Sequence, residues 1–131
     1  MIRIEVPGQP VPKQRARSFI HRGSGRMCHL TPARTVNYEA EVALAGREAM
    51  VGKDLIQGPL AITVFAHFLM PKRGRKEGDY HTSRPDWDNV GKICSDALNG
   101  IVWRDDCQVA SAQVVKTYAN SPRLVIEVRA L

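Results

Sequence analysis

With 131 residues, 44% of them apolar and 24% charged, the chain can bury a core of its own and is too apolar for a disordered tail. Its formal net charge of +6 is that of a chain drawn to polyanions, and no stretch approaches the roughly 18 apolar residues of a membrane helix. Three cysteines, Cys28, Cys94 and Cys107, without a CxxC pair, argue against a zinc knuckle and a disulfide framework.

In chain order, "MIRIEV" alternates Ile2, Ile4 and Val6 as a strand does, and Pro7-Gly8 stops it. The next two dozen residues are rich in Pro, Gly and Arg and read as an irregular basic segment. Thr31-Pro32 is a helix start, with Thr as N-cap and Pro at the first helical position, and the helix is expected to run to about Met50, weakened by Gly46. "LAITVFAHFLM" is apolar on both faces and reads as a central, buried strand in which His67 is a sheet histidine. The polar "PKRGRKEGDYHTSRP" is long for a connector and is a candidate functional loop. Val90, Ile93, Cys94, Ala97, Leu98 and Ile101 then follow helical spacing, with Asn99-Gly100 as the stop. "VASAQVVKTYA" and "RLVIEVRAL" are two strands around the turn "NSP". The expectation is one α+β (mixed α/β) domain over residues 1–131, of order β-α-β-α-β-β, with helices packed on a mixed sheet.

The charge is uneven. No acid falls between Glu5 and Glu39, while Lys13, Arg15, Arg17, Arg22, Arg26 and Arg34 accumulate there, and Lys72, Arg73, Arg75 and Lys76 form a second cluster. Such clusters fit a nucleic-acid binder and a merely soluble basic surface about equally well, and on the first reading Lys13, Arg15, Arg17, Lys72, Arg73, Arg75 and Lys76 are the candidate nucleic-acid contacts. Neither cluster has interleaved aromatics, so the sequence offers little support for a single-strand stacking surface.

Against this basic background, "RPDWDNVGKICSDALNGIVWRDD" holds five of the thirteen acids. Asp86 and Asp88 stand at a helix entrance stiffened by Pro85, and Asp105-Asp106 follow the helix and can approach them if "IVW" returns along the sheet. Converging carboxylates are hard oxygen donors suited to Mg²⁺, with Mn²⁺ as a substitute, and such an ion promotes phosphodiester hydrolysis. Lys92, one turn past Asp88, could stabilise charge on phosphate; Asn89 could orient a carboxylate. The same residues admit a purely structural reading: Asp86 or Asp88 as N-cap, Asp88–Lys92–Asp96 as a surface ladder, Asp105-Asp106 as a turn.

The ordered pattern "RPDWDNVGKICSDALNGIVWRDDCQV", together with "GQPVPKQRAR" and "TPAR", resembles the RusA family of Holliday junction resolvases. The resemblance implies a RusA-like fold and a Mg²⁺-dependent homodimeric endonuclease that nicks a four-way DNA junction symmetrically. It implies Asp86, Asp88 and Asp106 as metal ligands, Asp106 rather than Asp105 because it is the second acid of the pair, and Lys92 as the catalytic lysine. It also implies a bacterial or phage-encoded protein, and the missing signal peptide an expected cytoplasmic location. Trp87 stands where the family more often has an aliphatic residue, with an expected effect on packing beneath the site. Two other readings stay open: a nuclease for forks, flaps or other branched DNA, and a non-catalytic basic DNA-binding accessory protein.

Overall fold

The computed structural model describes residues 1–14, 17–30 and 32–131, and the side chains of all of these except 17, 19 and 28–30. Strand β1 (Ile2–Pro7) turns Ile4 and Val6 inward, as the alternation predicts. At Gly8 a positive φ of 98° turns the chain away, and its N–H donates to Pro122 O at 3.0 Å.

The segment expected to be irregular contains a hairpin. Strands β2 (Arg17–Ile20) and β3 (Met27–Leu30) pair antiparallel. Their turn is organised by His21, whose Nδ1 accepts from the N–H groups of Gly23 and Ser24, both at 3.2 Å. Glycines that read as breakers are its turn residues, Gly25 at φ +67°. Two four-residue strands are too short to show a period.

Helix α1 (Ala33–Ala49) starts one residue later than expected: Pro32 is its N-cap, at φ −55° and ψ 138°, not its first helical residue. Thr31, the expected cap, lies outside the described residues. The helix buries Thr35, Tyr38, Val42 and Gly46, one stripe at helical spacing. Gly46 is a point of close approach: a Cβ there would lie 2.5 Å from Leu98 Cδ2.

Strand β4 (Leu60–Leu69) is central, pairing antiparallel with β6 (Arg123–Ala130) and parallel with β5 (Val109–Ala119). Among the described residues the main sheet has the order β1-β6-β4-β5, mixed as expected. The strands β5 and β6 flank the turn "NSP" but are not neighbours, because β4 lies between them. Helix α2 (Trp87–Leu98) joins β4 to β5 and completes a βαβ unit. It buries Val90, Ile93, Cys94, Ala97 and Leu98, five of the six positions the periodicity marks. His67 is a sheet residue, its Nδ1 3.0 Å from Thr117 Oγ1 across the β4–β5 pair.

The core between helices and sheet includes Leu60, Val64, Phe68, Trp103, Leu124 and Ile126, each at most 2% exposed. Among the described residues no helix is long and apolar enough to cross a membrane.

Candidate active site

Two structural devices hold the acidic stretch in place. The first is the loop after β4. Its tip carries Lys72, Arg73, Arg75 and Lys76, all exposed, but its second half lies along the outer edge of β5. Gly78 N–H donates to Tyr118 O (2.8 Å), Tyr118 N–H to Asp79 O (2.9 Å) and His81 N–H to Lys116 O (2.9 Å). The His81 ring stacks on Phe68 with centroids 4.0 Å apart and lies 4.9 Å from the Tyr118 ring. Burial, with the nearby Lys116 charge, holds the His81 imidazole below the usual histidine range. The Arg75 guanidinium sits 5.7 Å over Tyr118, a cation–π contact. Closer to the acids, Lys116 Nζ donates to Ser83 O at 2.8 Å.

The second device is the turn after α2. Its 3-10 helix, Asp106–Gln108, is capped by Asp105, whose carboxylate accepts from Cys107 N–H at 3.1 Å. That bond holds the Asp105 carboxyl below the usual carboxylate range, while the same carboxylate raises the Cys107 thiol and makes it a poor nucleophile. Gln108 closes the capping box. Its Oε1 accepts from Arg104 and Asp105 N–H (2.9 and 3.0 Å), and its Nε2 donates to Ile56 and Gly58 carbonyls (both 2.9 Å).

Between these devices the acids separate into different situations. Asp86 occupies the N-cap position of α2 but makes no capping bond. Asp86 and Asp88 are both exposed, and among the described residues neither carboxylate is engaged in a hydrogen bond or ion pair. They share an open groove of about 730 Å³ with Tyr80, Arg84, Trp87 and Lys116. Asp86 also borders a groove of about 550 Å³ with Gln9, Lys13, Arg34, Arg84 and Asn89. Asp88 borders a third, mainly apolar groove of about 320 Å³ that includes Lys92 and Ser95.

Lys92 does not pair with Asp88: its Nζ lies 3.6 Å from Asp96 Oδ1. Asp96 also meets Lys13 Nζ at 3.3 Å, and Lys13 meets Glu39 at 3.3 Å, so this lysine ties the N-terminal segment to both helices. Asp106 Oδ2 accepts from Ser95 Oγ at 3.2 Å. Ser95 is seven residues past Asp88, roughly 10 Å along the helix axis. Among the described residues no three His, Cys, Asp or Glu side chains gather closely enough to hold a metal ion. The structure thus brings Asp86 and Asp88 together and leaves Asp106 at the far end of the same helix flank. Arg15 lies outside the described residues, as does the side chain of Arg17, while the Arg17 backbone opens β2.

The donor chemistry fits a hard cation. Mg²⁺ keeps several waters and commonly takes only one or two carboxylates plus substrate phosphate, which Asp86 and Asp88 can provide. Trp87 does not pack beneath the site; it is 66% exposed and lines the groove. Three further groove cations were not among the sequence candidates: Arg34, Arg84 and Lys116. Proximity to Pro85-Asp86 could have flagged Arg84. Lys116 is thirty residues from Asp86 and is delivered by the parallel β4–β5 pairing, for which no local signal exists.

Compared with known proteins, residues 7–129 match the family model described as endodeoxyribonuclease RusA. The chain is also similar to a protein named uncharacterized protein YqaN of Bacillus subtilis (strain 168), at 32% identity over 138 residues, 98% of this chain and 95% of that one.

Proposed function

The chain belongs to the RusA family of endodeoxyribonucleases, and on that premise we propose that it is a Mg²⁺-dependent enzyme that resolves four-way DNA junctions by paired symmetric nicks. The observation that carries this reading is the Asp86–Asp88 pair, two exposed carboxylates without a partner among the described residues, in a groove whose other charges, Arg84 and Lys116, are cationic. Carboxylates left unpaired beside cations are available to an ion, and the cations to a phosphate.

In this reading Asp86 and Asp88 hold the ion, with Mn²⁺ an acceptable replacement. When bound there, it supplies Lewis acidity toward a phosphoryl oxygen and positive charge for the leaving oxygen. Arg84 and Lys116 hold the DNA backbone against the acids, and Asn89, on the neighbouring groove beside Asp86, contacts phosphate. Lys92, tied among the described residues only to Asp96 on an exposed flank, exchanges that partner for phosphate and stabilises its developing charge. Asp106 is the third proposed carboxylate, although it sits about two turns of α2 from Asp88 and would have to shift toward the pair to share their ion. Its partner is a neutral hydroxyl, which an ion can replace, whereas Asp105 is occupied as a cap.

A homodimer presents two such sites to a roughly two-fold-symmetric junction, and doubles a charge of +6 over dense phosphate. The exposed tip cations Lys72, Arg73, Arg75 and Lys76 add backbone contacts that select shape rather than sequence. The same exposed cations, at the loop tip and in the groove, support as a second reading a basic DNA-binding protein without catalysis.

Cleavage of a labelled mobile four-way junction decides between them, with linear duplex and fork as controls. Wild type should give paired nicks with Mg²⁺ and none with EDTA. Asp86→Asn should bind but not cut, and Lys92→Ala should cut about 100-fold more slowly. Tight binding without a Mg²⁺-dependent product from any DNA would establish the accessory protein instead.

A further inference from the structure

The groove that holds Asp86 and Asp88 also holds two aromatic side chains with no core role. Tyr80 is 73% and Trp87 66% exposed, in a chain with only 6% aromatic residues. Neither ring is carried on a loose segment. Tyr80 lies in the stretch laid on the edge of β5, bridged to Thr117 and flanked by the Gly78 and His81 backbone bonds. Trp87 is the first residue of α2. The same groove contains the cations Arg84 and Lys116 and measures about 730 Å³, within the range of small-ligand sites.

We infer that this groove binds an unstacked nucleobase of the DNA substrate, with Tyr80 and Trp87 as its stacking surface. The inference rests on the nuclease reading and names what that site recognises. A nucleotide has an aromatic face, a phosphate and the bond to be cut, and the groove offers rings, cations and carboxylates to match. An apolar protein partner would match only the rings and would strip water from four charged groups without pairing them. Every base has a π-face, so this contact is tolerant of sequence. It is nevertheless selective for branched DNA: at a junction the stack is interrupted and a base is displaced more easily than in continuous duplex.

The chain provides its own reporter. Of its two tryptophans, Trp103 is fully buried and Trp87 is exposed. Trp87 emission is titrated in EDTA, so that DNA stays intact, with a short oligothymidylate and with an abasic chain of equal length and charge. Saturable quenching by the thymine chain is expected, with the abasic chain bound at least about ten-fold more weakly. Trp87→Leu and Tyr80→Ala, followed by a labelled oligonucleotide, should lose about ten-fold affinity for the thymine chain and none for the abasic one, while Trp87→Phe retains binding. Equal affinity for the two chains, or binding without change in Trp87 emission, overturns the inference. So does emission that responds to protein concentration and not to DNA, which would assign the face to contact between copies. Stacking of thymine by a chain that cuts no junction would remove the nuclease reading and keep the site. Junction cleavage by a chain indifferent to the base would do the reverse.

Discussion

Gln108 is the polar residue on which the acidic turn depends, and replacing it tests the account of that turn. Gln108→Met keeps volume and flexibility nearly constant, so it removes the amide without opening a cavity. Four hydrogen bonds go with it: two from the Arg104 and Asp105 N–H groups, and two to the Ile56 and Gly58 carbonyls. The bond to Ile56 O is partly buried and its loss should cost about 1–1.5 kcal/mol. The other three are exposed, so water replaces the amide and each is worth about 0.5 kcal/mol. The expected loss is about 2.5–3 kcal/mol in urea unfolding, with an unchanged m-value. Gln108→Glu keeps both acceptor bonds but turns an anionic oxygen toward two carbonyls. That raises the folded pKa of the new carboxyl, so the variant is most stable below the ordinary value of about 4.3 and weakens as pH rises through the folded value. A Gln108→Met protein within about 0.5 kcal/mol of wild type would refute the claim that this amide locks the segment carrying Asp106.

Gly46→Ala gains up to about 1 kcal/mol of helix propensity but forces Leu98 from its packed position, so denaturant unfolding should show a net loss of about 1 kcal/mol or more; a stabilised variant would refute the close approach of α1 and α2. Burial pushes the Cys94 thiol from the ordinary 9.0 up to about 12. The unfolded chain therefore ionises first, and stability is whole below pH 9 and falls toward pH 12 by up to roughly 1.4 kcal/mol per pH unit. Cys94→Ala should flatten that fall between pH 9 and 10, below the ordinary value of 10.0 at which the unfolded Tyr38 phenol, also raised by burial in the folded chain, begins to add its own loss; matching slopes would refute it. For Lys13, burial pulls the ammonium down but Asp96 and Glu39 together outweigh it and raise it above 10.5. Its contribution is thus present below pH 10.5 and lost above. Lys13→Met should lower stability by about 1 kcal/mol at pH 7 and leave the salt slope of DNA binding unchanged; a slope smaller by about one would make Lys13 a phosphate contact.

Much of this protein was legible from local pattern. Val90 through Leu98 could be read as a helix because one stripe is buried and the rest is not, which imprints a period on the residues themselves. The strand Leu60–Leu69 could be read because it is covered on both sides. The acid box and its relatives' motifs led to the right family for a similar reason: the chemistry is concentrated in contiguous residues. The hairpin of β2 and β3 leaves no period, being too short, and its glycines make the segment read as irregular.

Pairing partners are a different kind of information. Whether Asp105 caps a turn, whether Lys13 faces phosphate or two carboxylates, and whether Trp87 packs or projects all depend on groups distant in sequence. The residues Asp96, Glu39, Ser95 and Lys116 reach their partners only because α2 packs on α1 and β5 lies parallel to β4. Sequence alone determined both helices, the four strands of the main sheet, the basic clusters and the acidic box, since these follow from short-range sterics, burial period and composition. Tertiary structure alone decided that two of the acids share a groove with two exposed rings and two cations, because a groove is made by the packing of separate elements and is encoded in none of them.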